Sequence, residues 1–350
     1  MRGTGGARTR FLMESLPSCA ISRRLLPAFA FLVLMQAAHG QSLRQALEPR
    51  LAELSSKSHS AILLWDFARS EALAAVRAEV FAAPRCLGSL VKPFLLLAYL
   101  NEHCSEPNSN KTREVLPCPR GDDLTSSQTS DGPSAGIKLR PCVGHADSQC
   151  PVECWYKPGH GTLDVRRALA MSCNQYFYQL SKQTSPAAFV KTLAALGLTI
   201  SADLPGRASV TAETMIGLDS NLKLLPTQVL KAYGVLISGH PSAEAGNFAT
   251  PAFAQTILLD GLRLGPMEGT SRLAQQALPP NHHVLGKTGT SPALVGGRYL
   301  KSRTDGWFLG FYPAAQPVLA VMVYYPAGLG ARDAAPLGGQ VIRTYLEMVR

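Results

Sequence analysis

The sequence predicts an α+β protein in which one antiparallel sheet packs against a cluster of helices. Strand-like segments occur near both ends of the chain, whereas helical spacing dominates the middle. Two compact apolar runs, Ala61–Phe67 and Glu71–Val76, are separated by a short polar turn and predict a hairpin. Three further strand candidates follow late in the chain, at Val284–Thr290, Gly306–Tyr312 and Val318–Tyr325. The two ends are therefore expected to share one sheet.

Helical segments fill the interval between the strands. Their apolar residues recur on one helical face, and a glycine ends two of them. The segment Leu163–Lys182 is expected to be interrupted near Ser172, because serine and asparagine are unfavourable inside helices and favoured at helix ends. The predicted helices are 41–56, 89–102, 163–182, 186–196, 227–238 and 340–349.

Residues 1–40 are expected to be an export signal or an N-terminal membrane anchor. An arginine pair precedes the apolar run Leu25–Met35, and Ala38-His39-Gly40 fits the small-residue pattern of a cleavage site. The apolar run is shorter than the roughly 20 residues of a membrane span. The protein is therefore predicted to be periplasmic or otherwise extracytoplasmic, with one domain at 41–350.

The composition is that of a folded globular protein. Of the 350 residues, 46% are hydrophobic and 17% are charged, which is enough for a sizeable core. The formal net charge is +10, but the basic residues are spread along the chain and form no patch with interleaved aromatic residues. Nucleic acid is thus not an expected partner, whereas an anionic polymer would be tolerated.

A cysteine-bearing insertion is predicted at about 104–161, a stretch rich in proline, glycine and serine with little periodicity. A structural disulfide is the favoured interpretation of Cys142, Cys150 and Cys154 in an exported protein. The alternative is a structural metal site, for which the candidate ligands are His145, Asp147, Cys150 and Cys154. Their spacing matches no standard zinc finger.

Ser89 and Lys92 stand at the start of an apolar helix, one turn apart on the same face. A serine hydroxyl becomes nucleophilic when a base takes its proton, and a lysine desolvated by the run Phe94–Leu100 can be that base. The start of the helix would offer backbone N–H groups to a developing oxyanion. A second Ser-x-x-Lys, at Ser220 and Lys223, has no long helix behind it and is interpreted as a chance match.

Two further short motifs carry polar groups. Ser172-Cys173-Asn174 is either a helix cap or a proton-relaying hydroxyl with an amide that positions a substrate. Lys287-Thr288-Gly289-Thr290 follows a strand-like lead-in, so it is either a glycine-rich turn or a strand edge that pairs with an extended peptide. A phosphate loop is disfavoured, because the Gly-x-x-x-x-Gly-Lys-[Ser/Thr] spacing is absent.

In this order, Ser-x-x-Lys, Ser-x-Asn and Lys-Thr-Gly resemble the signature of penicillin-binding proteins and serine β-lactamases. The segment Cys154–Leu180 resembles the region around the second motif of class B penicillin-binding proteins. The segments Gly261–Ala274 and Asp305–Pro313 resemble the stretches on either side of the third motif. The resemblance covers roughly Ala61 to the C-terminus. It implies an antiparallel sheet between helical layers, and no cofactor is expected.

The resemblance implies a peptidoglycan D,D-transpeptidase with four catalytic residues. Ser89 would attack the D-Ala-D-Ala bond of a stem peptide and form an acyl-enzyme, with Lys92 as the general base. Ser172 would pass the proton to the leaving D-alanine. The fourth catalytic candidate is Lys287. β-Lactam antibiotics, which mimic D-Ala-D-Ala, are expected to acylate the same serine, and cell-wall synthesis proteins are possible partners.

The remaining site residues would bind the substrate. By the same resemblance, Asn174 would hold the substrate amide, and Lys287 and Thr290 would bind the terminal carboxylate. The substrate-binding candidates are Asn174, Thr288, Gly289 and Thr290. The chain departs from the family at Leu87-Gly88, where a proline-glycine pair is usual, and it is expected to lack the family's usual pedestal domain after the predicted signal.

Several functional alternatives remain. A class A β-lactamase would need a glutamate soon after the second motif, and residues 181–198 contain no acidic residue. A class D β-lactamase would prefer an aliphatic residue at Asn174. A D,D-carboxypeptidase uses the same residues with water as the acceptor. The non-enzymatic alternatives are a β-lactam sensor and an inactive wall-binding scaffold, and a metalloenzyme on the cysteine cluster is the most distant one.

Overall fold

The computed structural model describes residues 43–67, 69–104, 139–200, 210–240 and 248–349. The predicted export segment and residues 105–138 of the predicted insertion lie outside these ranges. A compact unit begins at Arg44. In the described ranges, no helix has both the length and the apolar character that a membrane crossing requires.

Five strands form one antiparallel sheet, as predicted. They are β1 (Ala61–Asp66), β2 (Glu71–Val76), β3 (Leu285–Val295), β4 (Arg298–Tyr312) and β5 (Leu319–Tyr325). Their order across the sheet is β2-β1-β5-β4-β3, so the N-terminal hairpin pairs with β5 and both ends of the chain share the sheet. β3 is left at an edge, paired only with β4 among the described strands.

Ten helices surround the sheet within the described residues. They are α1 (43–56), α2 (Lys92–His103), α3 (Val165–Ala170), α4 (Asn174–Lys182), α5 (Pro186–Ala195), α6 (Ala212–Ile216), α7 (Pro226–Ser238), α8 (Ala252–Glu268), α9 (Arg272–Gln276) and α10 (Ala335–Met348). α2 is the central one, because every residue from Lys92 to Leu100 is buried. A tighter turn, Gly88–Val91, leads into it.

The sheet is covered on both faces, which explains the continuous burial of the second half of β4, from Asp305 to Phe311. Trp307, Leu309 and Phe311 belong to the core that the sheet shares with α2 and its neighbours. Phe308 points the other way, because successive side chains of a strand alternate between faces. Its ring packs on α10 so closely that a Cβ at Gly338 would lie 2.2 Å from it. The predicted layered α+β architecture is therefore confirmed.

The helix boundaries around the second motif also agree with the prediction. α3 ends at Ala170, α4 begins at Asn174, and Ser172 between them has φ of 52°. A left-handed conformation is uncommon for a residue other than glycine, and it commonly marks a functional position. The interruption turns the chain sharply at the point where the motif lies.

Candidate active site

The three motifs meet at one cavity of about 370 Å³ between β3 and the helical cluster. Residues from each of the three motifs line it. Lys92 and Lys287 lie behind this lining and are buried. The motif residues that line the cavity are Ser89, Ser172, Asn174, Thr288, Gly289 and Thr290.

The first and third motifs touch through their backbones. Gly88 has φ of +56°, and a Cβ there would lie 2.2 Å from the carbonyl oxygen of Thr290. In the same way, a Cβ at Gly289 would lie 2.2 Å from the carbonyl oxygen of Leu87. Both positions therefore require glycine, because the two backbones approach each other too closely for a Cβ atom. Gly88 is required also by its left-handed backbone conformation. The contact places Ser89 beside the edge strand.

Lys92 is fully buried and joins the first motif to the second. Its Nζ donates to the carbonyl oxygen of Ser172 at 2.8 Å and to Oδ1 of Asn174 at 2.7 Å. Burial lowers the pKa of Lys92 to about 8, and the nearby Cys173 and Cys154 act in the opposite direction. A lysine with such a pKa has a substantial neutral fraction near physiological pH, as a general base requires.

Lys287 approaches the second motif from the sheet. Its Nζ donates to Oγ of Ser172 at 2.8 Å and to the carbonyl oxygen of Thr288 at 2.9 Å. Burial, and then the positive charge of Lys92, hold the pKa of Lys287 well below its ordinary value. Lys287 itself does not line the cavity, whereas Thr288 and Thr290 of the same motif do.

The polar side chains of the second motif form hydrogen bonds within the site and do not cap α4. The N-cap residue of α4 is Cys173, and no side chain accepts a capping hydrogen bond there. Ser172 accepts a hydrogen bond from Lys92 at its carbonyl oxygen and one from Lys287 at its hydroxyl. Asn174 binds Lys92 through Oδ1 and donates from Nδ2 to the carbonyl oxygen of Glu153 at 3.1 Å.

Several residues that line the cavity were outside the sequence prediction. Trp155 is 52% exposed, lines the cavity, and donates from Nε1 to the carbonyl oxygen of Met171 at 2.7 Å. The sequence signal that could have found it is its place in the segment that resembles the family's second-motif region. Others come from separate loops and strands, which sequence proximity does not reveal; they include Leu218, Thr270, Lys301, Thr304 and Leu329.

The expectations for the cysteine loop need correction. Cys142, Cys150 and Cys154 carry free thiols, not a disulfide. His145, Asp147 and Cys150 do not gather around a metal position, because the Asp147 carboxylate is engaged by Arg140 at 3.0 Å and by the Cys150 N–H. A different set of ligand-type side chains lies together in the described part of the chain, comprising Cys142, Cys154, His160 and Cys173.

The chain matches the family model of the penicillin binding protein transpeptidase domain over residues 142–343. That range includes the second and third motifs and begins after Ser89 and Lys92. Stage V sporulation protein D of Bacillus subtilis (strain 168) is 24% identical over 243 residues, which is 58% of this chain and 37% of that protein. The chain thus spans little more than a third of the length of that relative.

Solved structures with the same fold include the transpeptidase domain of penicillin-binding protein 3 from Burkholderia pseudomallei. It has a TM-score of 0.61 and 19% identity, over 88% of this chain and 93% of that one. Penicillin-binding protein 2 of Helicobacter pylori, solved in a complex with MreC, has a TM-score of 0.57 and 19% identity, over 86% and 62%. With more than half of its length matched by the family model, this chain belongs to the penicillin-binding protein transpeptidase-domain family.

Proposed function

We propose that this protein is a serine D,D-transpeptidase that forms an acyl-enzyme from the D-Ala-D-Ala end of peptidoglycan stem peptides. The observation that carries the proposal is the double engagement of Ser172 by two buried lysines, beside a cavity that Ser89 also lines. Ser89 is then available as the nucleophile, and Ser172 is hydrogen-bonded so that it can pass on a proton. Two buried lysines would be costly without such a use.

In the acylation step, Ser89 Oγ attacks the carbonyl carbon of the penultimate D-alanine and gives its proton to the neutral amine of Lys92. The N–H groups of Ser89 and Thr290 would stabilise the oxyanion of the tetrahedral intermediate. As the C–N bond breaks, the leaving nitrogen takes a proton from the Ser172 hydroxyl. Lys287, which donates a hydrogen bond to that hydroxyl, supplies the replacement proton.

The transfer step reverses these proton movements. The amine of a second stem peptide attacks the acyl-enzyme carbonyl, and its proton returns through Ser172 to Lys287. The bond to Ser89 Oγ breaks, and the oxygen regains its proton from Lys92. Both lysines finish in their starting protonation states, so the cycle is balanced without any cofactor.

The edge position of β3 supports an extended peptide as the substrate. An edge strand offers unpaired backbone groups to an added strand, and this is a common mode of peptide recognition. The cavity-lining Thr288 and Thr290 then offer hydroxyls to the terminal carboxylate. The Thr290 Oγ1 accepts from the Gly330 N–H at 3.1 Å, which leaves its own hydrogen free to be donated to the substrate.

The residues that line the cavity favour acyl transfer to an amine over the rapid hydrolysis that a β-lactamase carries out. Among the described residues that line it, none is an aspartate or glutamate that could activate water. A D,D-carboxypeptidase uses the same residues and is the second candidate. By analogy with the complex of the Helicobacter pylori relative with MreC, we further propose cell-wall synthesis partners. An extracytoplasmic location is proposed from the predicted export segment at residues 1–40.

The test is the intact mass of the protein after incubation with benzylpenicillin. We expect a stable adduct of one penicillin, which Ser89→Ala abolishes and Ser220→Ala, at the second Ser-x-x-Lys, leaves unchanged. A D-Ala-D-Ala peptide with and without a D-amino acid acceptor then separates the activities. Exchange of the terminal residue indicates a transpeptidase, and release of D-alanine alone a carboxypeptidase. Retention of the adduct in Ser89→Ala would overturn the proposed nucleophile.

A further inference from the structure

Three thiols and an imidazole that the proposed reaction does not use lie together next to the second motif. Cys142, Cys154 and Cys173 are buried, and His160 is partly buried beside them. Their ligand atoms all lie within 4.8 Å of one another. Cys173 separates Ser172 from Asn174 in the sequence, so whatever this cluster binds is held against the active site.

Three distances among the four side chains match those around a tetrahedral metal ion, and the ligand atoms all lie within 4.8 Å of one another. A Zn²⁺ ion about 2.3 Å from sulfur and about 2.0–2.1 Å from nitrogen sets sulfur–sulfur distances of about 3.8 Å and sulfur–nitrogen distances of about 3.5 Å. The Sγ atoms of Cys154 and Cys173 are 3.8 Å apart. Nδ1 of His160 lies 3.5 Å from Cys142 Sγ and 3.4 Å from Cys154 Sγ. A disulfide would instead need sulfurs about 2.05 Å apart.

The loop is also built to hold its ligands in place. Cys142 and Gly161 exchange two backbone hydrogen bonds, which bring the two ends of the loop together. Gln175, buried on α4, accepts from the N–H groups of Val143 and Gly144 and donates to the carbonyl oxygens of His145 and Val152. The ligand positions are therefore fixed by side chains that are not ligands themselves.

We infer that Cys142, Cys154, His160 and Cys173 bind one Zn²⁺ ion, which fixes the second motif against Lys92. Three thiolates and one imidazole in tetrahedral array are the ligand set of structural zinc sites, in which no position is left open for a substrate. Softer ligands of this kind select against Mg²⁺ and Ca²⁺. The zinc would also protect three adjacent thiols from oxidation outside the cytoplasm.

The influence on the second motif rests on the proposed function and follows from two contacts. On one side of Cys173, the Asn174 side chain accepts a hydrogen bond from Lys92. On the other side of Cys173, Ser172 binds both lysines in a left-handed backbone conformation. A metal at the cluster would hold that conformation, whereas three protonated thiols would offer it little support.

The first test measures metal in the purified full chain by inductively coupled plasma mass spectrometry. We expect one zinc per chain, released when a mercurial reagent modifies the thiols, and one bound Co²⁺ with tetrahedral thiolate bands after exchange. Cys142→Ser and His160→Ala should lose the zinc, and Cys150→Ser, in the same loop, should keep it. Zinc below 0.2 equivalents in the wild-type chain, on the order of a trace, or a Cys154–Cys173 disulfide by peptide mapping, would overturn the site.

The second test asks whether the metal acts on the active site. Zinc is removed from the wild-type chain by chelation, and far-ultraviolet circular dichroism checks that the fold is kept. We expect penicillin acylation to slow about tenfold or more and to recover on adding Zn²⁺. An unchanged acylation rate in folded, zinc-free protein would contradict the proposed effect of the metal on the active site. Because the metal content is measured without penicillin, failure of the zinc site and failure of the proposed reaction are distinguishable.

Discussion

The two walls of the cavity are built on different principles. The sheet wall, which carries Lys287 to Thr290, is part of a backbone ladder, since β3 pairs along its whole length with β4. The loop wall, which carries Trp155 and faces the second motif, has almost no such ladder. It is held by buried side chains, of which Gln175 and the thiol cluster are the chief ones.

The difference determines how each wall is expected to respond to change. A backbone ladder distributes its hydrogen bonds over many residues, so one substitution in it removes little of the total. A side-chain clamp concentrates them in one residue, and its removal leaves several buried groups unpaired. We therefore expect the loop wall to be the fragile side of the site, even though the two lysines contribute chemistry from both sides.

The largest expected effect compares the two lysines. Lys92→Met, from the helical side, should slow penicillin acylation about 10³-fold, because the general base is removed. Lys287→Met, from the sheet side, should slow it less, about 10²-fold, because it removes the proton source behind the Ser172 hydroxyl but leaves the general base in place. Stopped-flow or quenched measurements of acylation would check both values.

Methionine keeps most of the volume of lysine and removes a buried amine, which offsets the loss of its hydrogen bonds, so we expect neither variant to be much less stable in urea than the wild-type protein. If Lys287→Met were slower than Lys92→Met by an order of magnitude, the assignment of Lys92 as the base would be wrong. Equal rates in the two variants would mean that the lysines act as one unit.

The clamp on the loop wall is tested by Gln175→Leu. The substitution leaves the buried Gly144 N–H and the Val152 carbonyl oxygen without their partner, at a cost of about 1–3 kcal/mol each. We expect the free energy of unfolding to fall by about 3 kcal/mol in urea denaturation. The matched control is Gln179→Leu, one turn later, which contacts the exposed Arg140 and should cost less than about 1 kcal/mol.

An equal, small effect of both glutamine substitutions would show that the loop wall is held mainly by something other than Gln175. In zinc-loaded protein, the thiol cluster is the obvious alternative. Repeating the Gln175→Leu measurement on zinc-free protein would then reveal a larger loss of stability than in the loaded protein.

The pH dependence of acylation should follow Lys92. Its pKa is lowered to about 8, chiefly by burial, and only the neutral amine can take the proton of Ser89. Acylation should therefore be slow at acid pH and rise through a midpoint near pH 8. From pH 7 to pH 9 the neutral fraction grows about tenfold. The rise should persist in Lys287→Met, and a flat profile between pH 6 and 9 in the wild type would contradict it.

The sheet wall could be predicted from the sequence because it follows from local patterns. Apolar runs bounded by turn residues define β1, β2 and β5, and the third motif lies in a run of the same kind. The strands β3 and β4 were predicted too short, since the hairpin that they form continues through polar residues to Arg298. Pairing with an apolar partner strand, not local composition, extends the strands there.

Two parts of the structure could not be predicted from local patterns. α8 contains Gly261, Gly265 and Pro266, which disfavour a helix. Its glycines are used for packing, since a Cβ at Gly261 would lie 2.7 Å from Leu169. The thiol cluster was missed for a different reason, because its ligands come from both ends of a loop and from the second motif. Candidate metal ligands chosen because they are close in sequence were therefore the wrong ones.

The smallest expected effect concerns Trp155, the exposed residue of the loop wall. Its indole lines the cavity and is fixed by a hydrogen bond to the Met171 carbonyl oxygen. Trp155→Ala should raise the KM for a D-Ala-D-Ala peptide about fivefold, the equivalent of about 1 kcal/mol of lost contact with bound substrate. The kcat should change little, because the indole touches none of the groups that move protons. Tyr156→Ala is the matched control, since Tyr156 is similarly exposed but does not line the cavity. A fall in kcat with unchanged KM would instead mean that Trp155 acts by holding the second motif, and the loop wall would then be part of the catalytic machinery.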